Sequence, residues 1–171
     1  INSIYLLGLM FAIQVGETWE RQSPEQAADL IFIAVLIAAL VSTGLQIFQW
    51  AGLEPIGPWT LNVTGQSRFY ANMAQPNQLA SLLLLGLLGC SWGVYRGKLN
   101  AKLATLLACF LLMGVALTES RTAWVNLVLL GLGAIVWRKK LPSVRYLWVV
   151  MGLGVYFSVC VAMLPLLVSL T

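Results

Sequence analysis

Six apolar runs organise the chain, at roughly residues 1–16, 29–53, 77–95, 103–119, 122–137 and 146–168. A helix that crosses the hydrocarbon core of a bilayer needs about 20 largely apolar residues, so each run predicts a membrane-spanning helix. The first is cut short at Ile1. The run at 122–137 calls for a nearly upright helix or a locally thinned bilayer. No two-residue alternation persists through the runs, which argues against a β-barrel. The expected fold is all-α, a polytopic transmembrane helical bundle of about six spans, with residues 1–171 forming part of a single membrane domain.

Composition points the same way. The chain is 60% hydrophobic and only 9% charged, against about a quarter charged in a soluble domain. It starts without Met inside an apolar run, as expected of a piece of a longer polytopic protein. The first run has neither a basic leading region nor a small-residue cleavage site, so no signal peptide is recognisable. A net charge of +4 could suggest nucleic acid. Here the positive residues sit in short loops between apolar spans, which is the pattern of membrane topology instead.

Eight of the ten basic residues can be placed on one side. Arg21 lies in the first connection with Glu17, Glu20, Glu25 and Asp29; Arg96, Lys98 and Lys102 lie in the third; Arg138, Lys139, Lys140 and Arg145 lie in the fifth. The positive-inside bias marks these alternate loops as cytoplasmic. Residues 54–76 then form an outward loop and 119–121 an outward turn, and each carries one of the two remaining cations, Arg68 and Arg121.

Other patterns concern packing. Gly86, Gly89, Gly93 and Gly97 predict a small face for close helix approach, and Ala12 with Gly16 a second. Trp19, Trp50, Trp59, Trp92, Trp137 and Trp148 fall at or near predicted interfaces. Cys90, Cys109 and Cys160 lie in apolar spans as packing residues. Without a His or a CxxC pair, neither a metal nor a cofactor is expected.

The candidate chemistry is outward. The stretch EPIGPWTLNVTGQSRFYANMAQPNQLA at 54–80 is too polar and too rich in Pro and Gly to span. A connection of this length is often functional. Pro76 suits the first turn of the next helix, which gathers Gln75, Asn77 and Gln78 at a helix N-terminus, where backbone donors favour an anion. Arg68 sits just upstream. At the second motif, Thr118-Glu119-Ser120-Arg121-Thr122-Ala123-Trp124, two apolar runs meet almost without a loop. Either Glu119 and Arg121 pair at the surface while Ser120 caps the next helix, or Arg121 faces an outward cavity and binds an anion. Gln46 and Gln49, one turn apart, either bond between helices or face the same cavity.

RFYANMAQPNQLA followed by SRTAW resembles the bacterial O-antigen ligase superfamily over about residues 45–137, and within it most closely the protein O-oligosaccharyltransferases. Ala71 stands where that family's loop is expected to have Gly, and Glu119 is not the residue most expected before SRT. The resemblance implies en bloc transfer of a glycan from a polyprenyl-pyrophosphate carrier at the periplasmic face of the bacterial inner membrane. The implied acceptor is a Ser or Thr hydroxyl of an exported protein; lipid A–core and a growing polysaccharide are the acceptors of the neighbouring ligase and polymerase branches. Arg68 and Arg121 would bind the donor pyrophosphate, and Gln75, Asn77, Gln78 and Ser120 would position the pyrophosphate or first sugar, or merely cap helices. The family's general base, a His, is expected in a periplasmic loop beyond Thr171, so the site in this chain is expected to be incomplete. The partners implied are the lipid-linked donor, the acceptor and membrane lipid. A transporter of an anionic lipid or solute is the reading from another class. It fits less well, because the non-cytoplasmic charges sit at outer helix ends and no inverted repeat is present.

Overall fold

The computed structural model describes residues 10, 13–19, 21–53, 69, 71–73, 75–136 and 145–168, with side chains of the last helix from 148 to 163. Arg68, Glu54 and Trp59 of the outward loop lie outside the described residues, as do Ala12, Glu20, Trp137 and the basic cluster Arg138, Lys139 and Lys140. Five helices follow a short helical stretch at 13–19: α1 Pro24–Trp50, α2 Pro76–Tyr95, α3 Ala101–Leu117, α4 Arg121–Val136 and α5 Arg145–Val168. No strand occurs among the described residues. The all-α expectation holds. The six-span expectation is not reproduced: among the described residues α1 and α2 are long and apolar enough to cross a membrane, whereas α3, α4 and the stretch Trp148–Met163 of α5 are shorter apolar helices.

Helix α1 starts earlier than its apolar run. Pro24 occupies the first turn and Glu25 follows where a negative charge suits the helix dipole. Asp29, expected in a loop, therefore lies on the helix and is buried. It is accommodated because α2 returns antiparallel and brings it three donors. Trp92 Nε1 donates to Oδ1 at 2.7 Å, Arg96 Nε at 3.1 Å, and Lys98 Nζ donates to Oδ2 at 2.6 Å. Glu25 adds an ion pair to Arg96 at 2.8 Å. Hydrogen bonding to Asp29 and then Glu25 holds the Arg96 guanidinium above its ordinary range. Trp92 also stacks on Phe32 of α1, with ring centroids 5.1 Å apart.

Gly52 and Gly97 end α1 and α2 in the left-handed region, each with φ +66. Lys98 N–H reaches back to Gly93 O at 2.8 Å and Gly97 N–H to Val94 O at 3.0 Å, which satisfies the last free carbonyls of α2. Gly97 is thus a helix stop and leaves the predicted small face. Gly86 and Gly89 do serve that face. A Cβ on Gly86 would come within 2.6 Å of Ala39 Cβ, and one on Gly89 within 2.8 Å of the Phe32 carbonyl oxygen. Gly93 instead makes room for Leu99 of the turn that follows, and Gly16 has open space around it.

The α1–α2 hairpin carries α3 against both helices, and α5 packs on α3. Leu36, Ala39, Leu79, Leu83, Leu111, Leu112, Val115 and Phe157 form the shared core. Helix α4 is peripheral: Ala123 is its one buried residue, while Trp124, Val125, Val128, Leu129 and Leu132 are exposed. An exterior of this kind suits hydrocarbon rather than water. Asp29 and Gln49 are 20 residues apart on α1, a rise of about 30 Å, close to the thickness of a bilayer core. The two polar ends of the hairpin are separated by that span.

Gly89→Ala is expected to destabilise the protein by about 1–3 kcal/mol, because its new methyl meets backbone that cannot step aside. Gly131→Ala on α4 meets open space and is expected to be neutral or to stabilise by about 0.5–1 kcal/mol. Thermal unfolding of both variants in the same detergent checks the contrast.

Candidate functional site

The opposite end from Asp29 gathers four pieces of chain: the C-terminal turns of α1, the segment 69–75, the start of α2 and the α3–α4 junction. Gln75 is the N-cap of α2, in extended conformation with φ −141 and ψ 133, and its side chain makes no capping bond. Pro76 follows at the first helical position. Gln75 and Gln78 are exposed. Asn77 is fastened: its Oδ1 accepts from Ser120 Oγ at 2.8 Å, across 43 residues of sequence.

The junction turns in three residues. Thr118 is fully buried, and its hydroxyl donates to Val115 O at 2.7 Å. Glu119 takes the left-handed conformation, φ 48, which is unusual for a residue with a Cβ. Ser120 N–H then donates to Thr118 Oγ1 at 3.3 Å, and Ser120 Oγ accepts from Ala123 N–H at 3.4 Å, so Ser120 caps α4. Arg121 opens α4 and is exposed to the surroundings.

Of the sequence-predicted residues, the structure brings Asn77 and Ser120 into contact, with Arg121 next in chain to the pair and Gln75 and Gln78 at the same helix start. Helices α2 and α4 pack together and begin at this one point. Each N-terminus leaves backbone N–H groups without intrahelical partners and carries the positive end of a helix dipole. Two such ends beside an exposed guanidinium form an arrangement that can hold an anion.

Among the described residues, the glutamines of α1 hold the backbone of the segment that precedes α2. Gln46 Nε2 donates to Phe69 O at 2.9 Å. Gln49 both donates to Ala71 O at 3.1 Å and accepts from Ala71 N–H at 2.7 Å. Ser42 Oγ bonds Asn72 Oδ1 at 3.1 Å. Ser42 had no place in the sequence reading, although it stands one turn before Gln46 and so shares its face. Ala71 is buried with φ 53, the backbone that explains why Gly is the expected residue there. A shallow groove on α5, lined by Met151, Gly154, Val155, Ser158, Val159 and Ala162, is apolar and contains none of these residues.

An all-helical body with one polar end at which two helices start is the class that fold and site define. Comparison with known proteins is more specific. Residues 70–92 match a family described as protein glycosylation ligase, which takes in QPNQLA and α2 as far as Trp92. The chain is 31% identical over 171 aligned positions, 93% of its length, to the general O-oligosaccharyltransferase of Acinetobacter baylyi (strain ATCC 33305 / BD413 / ADP1). It is 29% identical over 104 positions, 60% of its length, to the ComP-specific O-oligosaccharyltransferase of the same strain. The chain spans 28% and 18% of the lengths of these two curated relatives. No solved structure matches it. The resemblance read from the two motifs is therefore found again by similarity along nearly the whole chain: it is similar to the O-oligosaccharyltransferases.

Ser120→Ala removes the α4 cap and the Asn77 bond together, with an expected loss of about 1–2 kcal/mol. In a double-mutant cycle, Asn77→Ala should cost less once Ser120 is already Ala. Equal costs in both backgrounds, measured by chemical unfolding, would show that the two side chains do not interact.

Proposed function

We propose that the chain is the donor-binding part of an inner-membrane oligosaccharyltransferase, working at the periplasmic face on a polyprenyl-pyrophosphate-linked glycan. The observation that carries this reading is the convergence of α2 and α4 at the Asn77–Ser120 bond, with Arg121 exposed beside it. An anion site at one end of an apolar helical body suits a diphosphate head group held at a membrane surface. Arg68, one residue before Phe69, is the second proposed phosphate ligand.

In the proposed step, a Ser or Thr hydroxyl oxygen of the acceptor protein attacks the anomeric carbon of the first sugar. A new carbon–oxygen bond forms there as the bond from that carbon to the pyrophosphate oxygen breaks. The electron pair departs on polyprenyl pyrophosphate, and the hydroxyl proton passes to a general base, the His that the family resemblance implies. Negative charge grows on the leaving diphosphate in the transition state. Guanidinium forks and helix N-termini already aimed at it bind that state more tightly than the ground state. Asn77 and Ser120 hold each other and the two helix starts in place, and Gln75 and Gln78 are free to contact the diphosphate or first sugar.

The matched family's description as a protein glycosylation ligase supports a protein acceptor over lipid A–core or a growing polysaccharide. The one-sided site, with its charges at the outer helix ends, supports transfer over transport.

In full-length protein, given a polyprenyl-pyrophosphate-linked glycan and an acceptor protein, Arg121→Ala and Arg68→Ala are each expected to slow transfer by about 10²–10³-fold. Lys at either position should restore part of the rate, since it keeps the charge but loses the fork. Wild-type transfer by both alanine variants, inserted at normal levels, would remove the proposed site.

A further inference from the structure

We propose that Gln49, with Gln46 and Ser42, is a positioning clamp. It fixes the segment at 69–72 on the end of α1 and so holds the approach to the Gln75–Pro76 start of α2, where the donor is proposed to bind. This rests on the donor-diphosphate reading above.

The polar residues concerned are out of character for their helix. Gln46 and Gln49 are 0% and 3% exposed on α1, where Leu or Met would pack without desolvating an amide. Gln46 Oε1 is buried with no hydrogen-bond partner. A site kept only for packing would not retain that cost. What the amides do is specific. Gln49 donates to and accepts from one residue, Ala71, reproducing with a side chain the two-bond pairing of adjacent β-strands. Gln46 takes Phe69 O two residues earlier, and Ser42 takes the Asn72 side chain one residue later.

The clamp grips main chain at Phe69 and Ala71, so it holds the path of the segment whatever its side chains do. It also holds the segment at its least favourable point. Ala71 is buried at φ 53, a conformation that a residue with a Cβ leaves readily unless its surroundings impose it. The clamped stretch lies between Arg68, adjacent to Phe69 in sequence, and the Gln75–Pro76 start of α2. The hold on Phe69, Ala71 and Asn72 therefore fixes the chain that leads into the Gln75 N-cap of α2. Ser42, Gln46 and Gln49 act through the segment they hold.

The test uses full-length protein in membrane mimetic. Gln49→Met keeps side-chain length and deletes both bonds to Ala71. Amide hydrogen exchange over residues 69–73 should accelerate by about tenfold, with α2 and α3 unchanged. Transfer from the lipid-linked glycan should fall on the order of 10- to 100-fold in kcat, with the acceptor KM unmoved. Ser42→Ala gives a milder version should Gln49→Met fail to insert.

Unchanged exchange at 69–73 overturns the clamp, and wild-type transfer by a Gln49→Met variant that exchanges faster overturns its effect on the donor site. If Gln49→Met speeds exchange and slows transfer while Arg68→Ala and Arg121→Ala leave transfer at the wild-type rate, the donor-site reading falls. The clamp on the segment is then upheld by itself.

Discussion

The Asp29 carboxylate, its side chain 7% exposed, sets the register of α1 against α2. An unpaired carboxylate in that position would be intolerable in an apolar body. Its three donors come from one turn and the C-terminus of α2, so the helices can satisfy it in a single antiparallel alignment. The contact of Gly89 with the Phe32 carbonyl belongs to the same alignment, since a slide of one residue would put a side chain where the backbones meet. With that register set, the C-terminal turns of α1 lie beside the start of α2. The Gln49–Ala71 pairing and the Asn77–Ser120 bond both form at that end.

The two ends of the hairpin differ in kind. At the Asp29 end the polar groups are charged and neutralise one another within the helices and the α2–α3 turn. At the other end the buried groups are neutral amides and hydroxyls spent on holding backbone and caps, and Arg121 is left exposed. Neutral scaffolding with an uncommitted cation is what an anion-binding surface requires, because a cation already paired has little field left for a ligand. The strained residues follow the same division: Ala71 and Glu119, with φ of 53 and 48, both lie at this end.

How much of this was legible depended on whether the cause was local. Pro76 marks the start of α2 because proline is best tolerated in the first helical turn, and Ser120 before an apolar run marks a cap through its side-chain acceptor. Asp29 was assigned to a loop because charge interrupts an apolar run, while the residues that neutralise it stand 63–69 positions further on. Gln46 and Gln49 were visible as a pair on one face. Their target was not, since an amide accepts and donates equally well to a helix, a loop or a ligand. Gly97 was grouped with the packing glycines by spacing, which carries no information about φ.

The sequence by itself determined the helices and the motifs by which the chain resembles the oligosaccharyltransferases. These follow from hydrophobic periodicity, charge placement and proline stereochemistry, which are properties of neighbouring residues. Only the tertiary structure decided that Asn77 meets Ser120, that α2 and α4 start together, and that the glutamines of α1 grip the segment that precedes α2. Those contacts join residues 22 to 43 positions apart. They exist because buried polar groups must find partners inside an apolar body, and which partner each finds is settled by how the helices align.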